Sequence, residues 1–328
     1  MLMERQIVQA ERGGLARKLR RWGTLGSLAL TGLVNGGWHH LDGKAGNLQH
    51  IEPALESIQR IDNQLNIVSF NVHGRAYSRS TELVKLFEGN DLDALLLQEV
   101  RQNDVEPLSA AFYNKHLVYV LADGKQDAAS GGLGNMIITS QRPEEISTRS
   151  FSGNSLGDTI LRSARGIAND VKKQLSGEGG GLRNFRAGLQ EDRAAVAVTI
   201  KARVRDELKD IRIITSHISP SHQSSHQRQF PQLMDYVKEN TKDNQVTVVC
   251  ADLNVRPDKV QPEMEPLGYS TKRTGPTSLT TGKVIDYCYH NHDKGNVWTL
   301  RAPHSDHYPV AAELLFPRPV YDRRSRAE

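Results

Sequence analysis

Ala94-Leu95-Leu96-Leu97-Gln98-Glu99-Val100 decides how this chain folds. Four apolar residues in succession, without alternation, suit a strand buried on both faces, and the run stops abruptly at an amide and a carboxylate. The stretch 246–251, Val-Thr-Val-Val-Cys-Ala, stops the same way at Asp252-Leu253-Asn254. Further strand-like runs cover 66–71, 136–139, 194–200, 211–218, 283–289 and 310–316. Helical spacing falls at 81–87 and 225–239, and Ile51, Leu55, Ile58 and Ile61 predict a short amphipathic helix over 51–61. Strands recurring with only some helices between them predict an α/β sandwich rather than a strictly wound parallel sheet.

One domain over 63–317 accommodates these elements. Within it, Leu156, Ile160, Leu161, Ala164, Ile167, Val171 and Leu175 keep helical spacing before Gly177-Glu178-Gly179-Gly180-Gly181 breaks it. This reads as a helical insert around 149–190, either packed on the core or acting as a flap over the substrate. The N-terminal arm, 1–62, carries basic, then apolar, then small residues over 18–36. That order reads either as an export signal or as a loosely ordered arm of a cytoplasmic protein. The apolar run there is too short to span a bilayer as a helix. The tail, 318–328, is charged and is expected to be disordered.

The totals exclude little beyond membrane-spanning and disulfide-framework classes. The 328 residues are 38% hydrophobic and 24% charged, with Lys+Arg 42 against Asp+Glu 38. A formal charge of +4 and a pI near 9.0 permit a polyanionic partner without demanding one. Of the two cysteines, Cys250 and Cys288, both lie in apolar runs and are expected as buried free thiols, a disulfide being a matter for coordinates.

Polar residues collect where the strands stop: Asn71, Glu99, His217, Asp252, Asn254, Asp286, Asp306 and His307. A carboxylate at the end of an apolar run is costly unless it meets water, a partner or a cation. Several such ends together point to a metal-assisted hydrolytic site. The set is rich in oxygen, so Mg²⁺ or Mn²⁺ suits it better than structural zinc.

The stretches 66–74, Leu97-Gln98-Glu99-Val100, Gly134-Asn135-Met136-Ile137, Ser216-His217, Ala251-Asp252-Leu253-Asn254, Ile285-Asp286-Tyr287 and Ser305-Asp306-His307-Tyr308-Pro309-Val310 resemble, in order, the endonuclease/exonuclease/phosphatase superfamily. It includes DNase I, apurinic-site endonucleases, neutral sphingomyelinases and inositol-polyphosphate phosphatases. The resemblance covers roughly 66–316 and implies a four-layer α/β sandwich with two central mixed β-sheets flanked by helices. It also implies roles. Glu99 binds the Mg²⁺ or Mn²⁺, with Asn71 helping to hold the metal site and Asp306 supporting the metal or His307. Asp286 orients His307, the base that activates water. Asp252 and Asn254 align the nucleophile and contact the scissile phosphate. His217 stabilises phosphoryl oxygens or protonates the leaving group, and Arg193 contacts phosphate.

The activity so implied is phosphodiester hydrolysis by a monomer, with nucleic acid as the first substrate and phospholipid head groups or inositol phosphates as the alternative. Gln98-Glu99-Val100-Arg101 together with His217 favours the DNase-like, sphingomyelinase-like and phosphatase branches over apurinic-site repair. A non-catalytic binding module is the third reading, against which stands the intact polar set. Other features read as structural. Gly131-Gly132-Leu133-Gly134 is expected as a turn, not a phosphate loop. His222 and His226 are expected in solvent, and His39-His40 without chemistry. Tyr77, Tyr287 and Tyr308 are expected to pack rather than stack on a base.

Overall fold

Leu95 and Leu97 face one apolar environment while Ala94 and Leu96 face another, which is the reason the run does not alternate. The computed structural model describes residues 48–51, 60–61, 64–123, 132–151, 193–204, 207–220, 224–272, 274–301 and 305–316. The signal-like stretch 18–36, His39-His40, the insert beyond residue 151, His222 and the tail 318–328 lie outside the described residues.

Among the described residues, thirteen strands form two sheets. The first contains β1 (Leu48–Ile51), β3 (Gln64–Asn71), β4 (Ala94–Arg101), β5 (His116–Asp123), β6 (Leu133–Thr139), β12 (Gly295–Thr299) and β13 (Val310–Leu315). Its order is β1-β5-β6-β4-β3-β13-β12. The second contains β2 (Arg60–Ile61), β7 (Pro143–Phe151), β8 (Arg193–Val204), β9 (Glu207–His217), β10 (Val246–Asp252) and β11 (Asp286–His290). Its order is β11-β10-β9-β8-β2, with β7 also along β8. Both sheets are mixed: β3–β4, β9–β10 and β2–β8 are parallel, the other pairs antiparallel.

The facing sides of the two sheets share one core, with Leu65, Ile67, Leu96 and Ile137 opposite Val196, Val198, Ile213 and Val248. Helices α1 (Ser80–Gly89) and α2 (Val105–Ala111) cover the first sheet's outer face through Leu83, Phe87, Val105 and Leu108. Helices α3 (Ser224–Glu239) and α4 (Pro257–Met264) cover the second through Leu233, Val237, Val260 and Met264. This is the four-layer α/β sandwich expected from the resemblance. Each fully buried leucine in the central strands contributes about 1.5–3 kcal/mol relative to exposure. Gly134 is required by close approach: a Cβ there would lie 2.2 Å from the Val120 carbonyl oxygen and 2.6 Å from the Tyr119 ring.

Four expectations are corrected. Leu48–Ile51 and Arg60–Ile61 are strands, so the amphipathic helix over 51–61 is not formed at either end; pairing of β1 with β5 overrides the local spacing. Leu133 and Gly134 belong to β6 instead of a turn; Gly132 enters the strand at φ 89°, and Gly131 lies outside the described residues. His226 is buried on α3, stacked on Phe230 at 5.7 Å, rather than in solvent. Cys250 and Cys288 face each other across β10 and β11 and are joined as a disulfide, not free thiols, because antiparallel register brings their Cα atoms to 4.1 Å. Among the described residues, no helix is long and apolar enough to cross a membrane.

Candidate active site

The core turns polar at one end of the sandwich, and pairing direction explains why. Strands β3, β9 and β10 finish there, at Asn71, His217 and Asp252. Strand β11 runs antiparallel to β10, so its first residue, Asp286, lies opposite Asp252. Strand β13 runs antiparallel to β3, with Val310 opposite Ser69, which brings the preceding Ser305-Asp306-His307 to Asn71. Strand β8 runs antiparallel to β9, so Arg193 starts beside His217.

Local backbone devices aim the side chains. The β4–β6 register shifts between Leu97 and Val100, and Glu99 sits in that bulge at φ 56°. His73 and Asn254 are also left-handed, each at φ 50°. Among the described residues, three of the five non-glycine residues with positive φ (His73, Asp91, Glu99, Asn244, Asn254) thus lie in one site, a concentration of backbone strain typical of functional sites. Asn254 N–H donates to Asp252 Oδ1 at 3.1 Å, closing the turn after β10. Ser305 Oγ donates to the Asn71 carbonyl at 3.1 Å and accepts from His307 N–H at 3.1 Å, tying that loop to β3.

Nine residues singled out from sequence converge there: Asn71, Glu99, Arg193, His217, Asp252, Asn254, Asp286, Asp306 and His307. Asn71 Nδ2 spans the two sheets, donating to Glu99 Oε1 at 3.2 Å and to Asp252 Oδ2 at 3.0 Å. His307 Nδ1 lies 2.9 and 3.1 Å from the two Asp286 oxygens and 3.8 Å from Asp252 Oδ2. Burial alone would lower the His307 pKa. The hydrogen bond and charge of Asp286, then the charges of Asp252 and Asp306, outweigh it and push the value up to about 9. Asp252 is raised well above the carboxylate range, by burial first and then by Asp286 directly opposite.

His217 is fully enclosed. Arg193 Nη1 lies 3.2 Å from its Nδ1, and the Asn254 side-chain amide 3.0 Å from its Nε2. Burial, then the charge of Arg193, holds its pKa well below the ordinary value, so the ring is neutral at physiological pH. Both neighbours are N–H donors and a neutral imidazole has one acceptor nitrogen, so His217 accepts from one of the two and not from both.

Two groups could hold a cation. Oxygen and nitrogen atoms of Asp252, Asp286 and His307 lie within 4.8 Å of one another. That trio is deeply buried and its imidazole Nδ1 is committed to Asp286, so it is a proton-holding cluster. Glu99 and Asp306 instead face the open side, and Asp306 Oδ1 is a buried oxygen that accepts no hydrogen bond among the described residues. A buried carboxylate oxygen without a hydrogen bond, 3.8 Å from His73 Nδ1, fits a hard divalent cation.

Two contributors escaped sequence reasoning. His73 Nδ1 lies 3.4 Å from Glu99 Oε2; its signal was its position two residues beyond the strand-end Asn71. Thr277 Oγ1 accepts from Ile285 and Asp286 N–H at 2.9 and 3.0 Å, and its carbonyl accepts from Tyr308 N–H, thereby fixing Asp286 against the His307 loop. Nothing in the sequence marks it.

Residues 68–307 match the model of the Endonuclease/Exonuclease/phosphatase family. The chain belongs to that family. Its members generally use a divalent metal, and as a member this chain is a phosphoester hydrolase. Among solved structures, the endonuclease/exonuclease/phosphatase from Bacteroides vulgatus aligns at TM-score 0.52 and 14% identity, covering 77% of this chain and 99% of that one. The human Nocturnin catalytic domain aligns at 0.55 and 13%, covering 79% and 96%. Truncated TDP2 from Caenorhabditis elegans aligns at 0.50 and 16%, covering 77% and 98%. At such identities these likenesses show the fold. A search of curated proteins found no significant match.

Proposed function

We propose that this family member is a divalent-metal-dependent phosphodiesterase, an endonuclease acting on DNA or RNA. The observation that carries the reading is the His307–Asp286 pair at 2.9 Å beside Asp252 and Asn254, facing Glu99 and Asp306 across Asn71. Asp286 fixes the ring through Nδ1 and leaves Nε2 as the nitrogen available to a water, the arrangement a general base requires. His307 takes the proton of that water as its oxygen attacks phosphorus in line. Asp252 and Asn254 align the water and hold a phosphoryl oxygen, while Arg193 balances phosphoryl charge.

Glu99, Asp306 and Asn71 would hold a divalent cation, which would supply charge neutralisation on the phosphoryl and leaving oxygens. Its charge would also oppose the carboxylate field that keeps a proton on His307. His217 serves on this reading as a positioning residue. Its ring nitrogens face Arg193 and Asn254, and burial keeps the ring neutral, so it orients those side chains instead of protonating the leaving group. The basic pI near 9.0 favours a polyanionic substrate.

A panel of plasmid DNA, RNA, sphingomyelin and inositol phosphates, each with and without EDTA, tests this. Plasmid nicking that disappears with EDTA and in Asp252→Ala supports the reading. Lipid or inositol-phosphate cleavage without nicking replaces nucleic acid as the substrate. No hydrolysis of any of them with Mg²⁺ or Mn²⁺ sinks the enzyme reading.

A further inference from the structure

One covalent bond beside the active site has no part in the reaction scheme. Cys250 on β10 and Cys288 on β11 are joined as a disulfide, and both are fully buried. In the antiparallel register Cys250 faces Cys288, and two residues nearer the site Asp252 faces Asp286. Side chains two apart on a strand point to the same face, so bridge and carboxylate pair share one side of the sheet, about 7 Å apart along the strands.

The strand that carries Asp286 needs such a tie. It is 5 residues long and lies at the edge of its sheet, with β10 on one side. On the other side, among the described residues, a single bridge joins it, between His290 and Ser270 at the end far from the site. Asp252 and Asp286 are both buried, and like charges placed directly opposite on paired strands drive them apart. The residue that orients His307 is thus the first residue of an edge strand, facing another carboxylate.

The bridge lies where it can counter that repulsion. On its face of the sheet it is the last cross-strand pair before the carboxylates. Cys288 Sγ lies 3.9 Å from the carbonyl oxygen of Val310, which opens β13 three residues beyond His307. The loop that the bridge closes, of sequence separation 38, begins two residues before Asp252 and ends two residues after Asp286. Leu253 N–H donates to the Ile285 carbonyl at 2.9 Å, which extends the pairing past both carboxylates.

We propose that the Cys250–Cys288 disulfide is a positioning element for catalysis, holding Asp252 and Asp286 face to face and so keeping Asp286 within reach of His307 Nδ1. The proposal rests on the hydrolytic reading given above and adds to it a covalent bond outside the reacting groups. A disulfide stabilises a chain wherever it lies by constraining the unfolded state, so stability alone does not reveal this role. Its location predicts a local effect instead. Loss of the bond should loosen the ends of β10 and β11 and slow turnover, leaving the first sheet unchanged. A catalytic group displaced by about 1 Å costs turnover up to ~10²-fold.

Two double variants of the full chain test it. Cys250→Ala/Cys288→Ala removes the bond, and Cys250→Val/Cys288→Val removes it while refilling the volume with apolar side chains. Hydrolysis of bis-p-nitrophenyl phosphate with Mg²⁺ or Mn²⁺ is measured well below the melting temperature of each, together with amide hydrogen exchange. Both variants should lose ~10- to 100-fold in kcat, with KM held within about 3-fold. The Leu253 amide should exchange at least ~10-fold faster. The Asp93 amide, bonded to the Asn66 carbonyl at the first sheet, should not change. Wild-type kcat, or unchanged Leu253 exchange, in folded variants overturns the proposal. Restoration of kcat by the valine pair also overturns it, by identifying packing and not the bond as the cause. So does failure of both variants to fold, which would make the bridge a general requirement of the fold. None of these results touches the hydrolase reading, which stands or falls on hydrolysis by the wild-type chain. Were that to fail, the exchange comparison would still decide whether the bond holds the strand ends.

Discussion

Asp286→Asn isolates the electrostatics of the site with little change of shape. Asparagine can still accept a hydrogen bond from His307 Nδ1, so the ring keeps its orientation, but the charge that raises its pKa is gone. In the wild type that pKa lies at about 9 against an ordinary 6.5. At ~1.4 kcal/mol per unit, the difference is worth about 3 kcal/mol. The sign follows from the direction. A raised folded-state pKa on a histidine contributes stability that is complete below 6.5 and disappears as pH rises through about 9. The metal-free wild-type protein should therefore lose about 3 kcal/mol of unfolding free energy between those limits. Asp286→Asn should remove most of that slope. It also relieves the repulsion that Asp252 feels from the facing carboxylate, so its deficit at pH 6 should shrink or reverse by pH 10. His217, His226 and His290 all have lowered pKa values, so their contributions change below 6.5. Urea unfolding in EDTA from pH 6 to 10, with the His307 imidazole followed by nitrogen-15 NMR, reads both quantities. An unchanged His307 titration in Asp286→Asn would refute the pairing as the source of the shift.

Removing the base itself, as His307→Ala, should lower turnover by ~10²–10⁴ while circular dichroism stays native; full activity in a folded variant would end the assignment. Gly134→Ala should destabilise by ~1–3 kcal/mol or prevent folding, because its Cβ meets the Val120 carbonyl oxygen and the Tyr119 ring; wild-type stability in a thermal melt would contradict that close approach. Alkylation of the unfolded, unreduced chain should label neither Cys250 nor Cys288. Prior reduction should cost ~2–4 kcal/mol in urea unfolding, since the bond closes a loop of sequence separation 38. Two labelled thiols without reductant would exclude the bond.

What the sequence disclosed depended on how far each signal could act alone. Runs such as 94–97 and 246–251 are legible because burial on two faces leaves only apolar side chains, whatever the partners are. Pro143–Phe151 is not, since its middle residues are exposed or half-buried and its strand character comes from pairing with β8. Leu48–Ile51 fails for the same reason, its helical spacing being overruled by β5.

The site divides along the same line. A carboxylate that ends an apolar run can be read as a problem needing a partner, but the partner cannot. Asn71 and Asp252 are separated by 181 residues and meet only because β3 and β10 end at the same side of facing sheets. His73 belongs wholly to this second kind. Its company of Glu99 and Asp306 depends on β3 standing between β4 and β13, and on one bulge that lets Glu99 depart from the alternation of its strand. Side chains on a strand alternate with period two, so deleting one residue from that bulge would restore the regular register and turn Glu99 to the other face. The strand and its leucines would survive, and the contacts of Glu99 with Asn71 and His73 would not. The apolar pattern that makes β4 easy to recognise therefore says nothing about the one irregularity on which its chemistry rests.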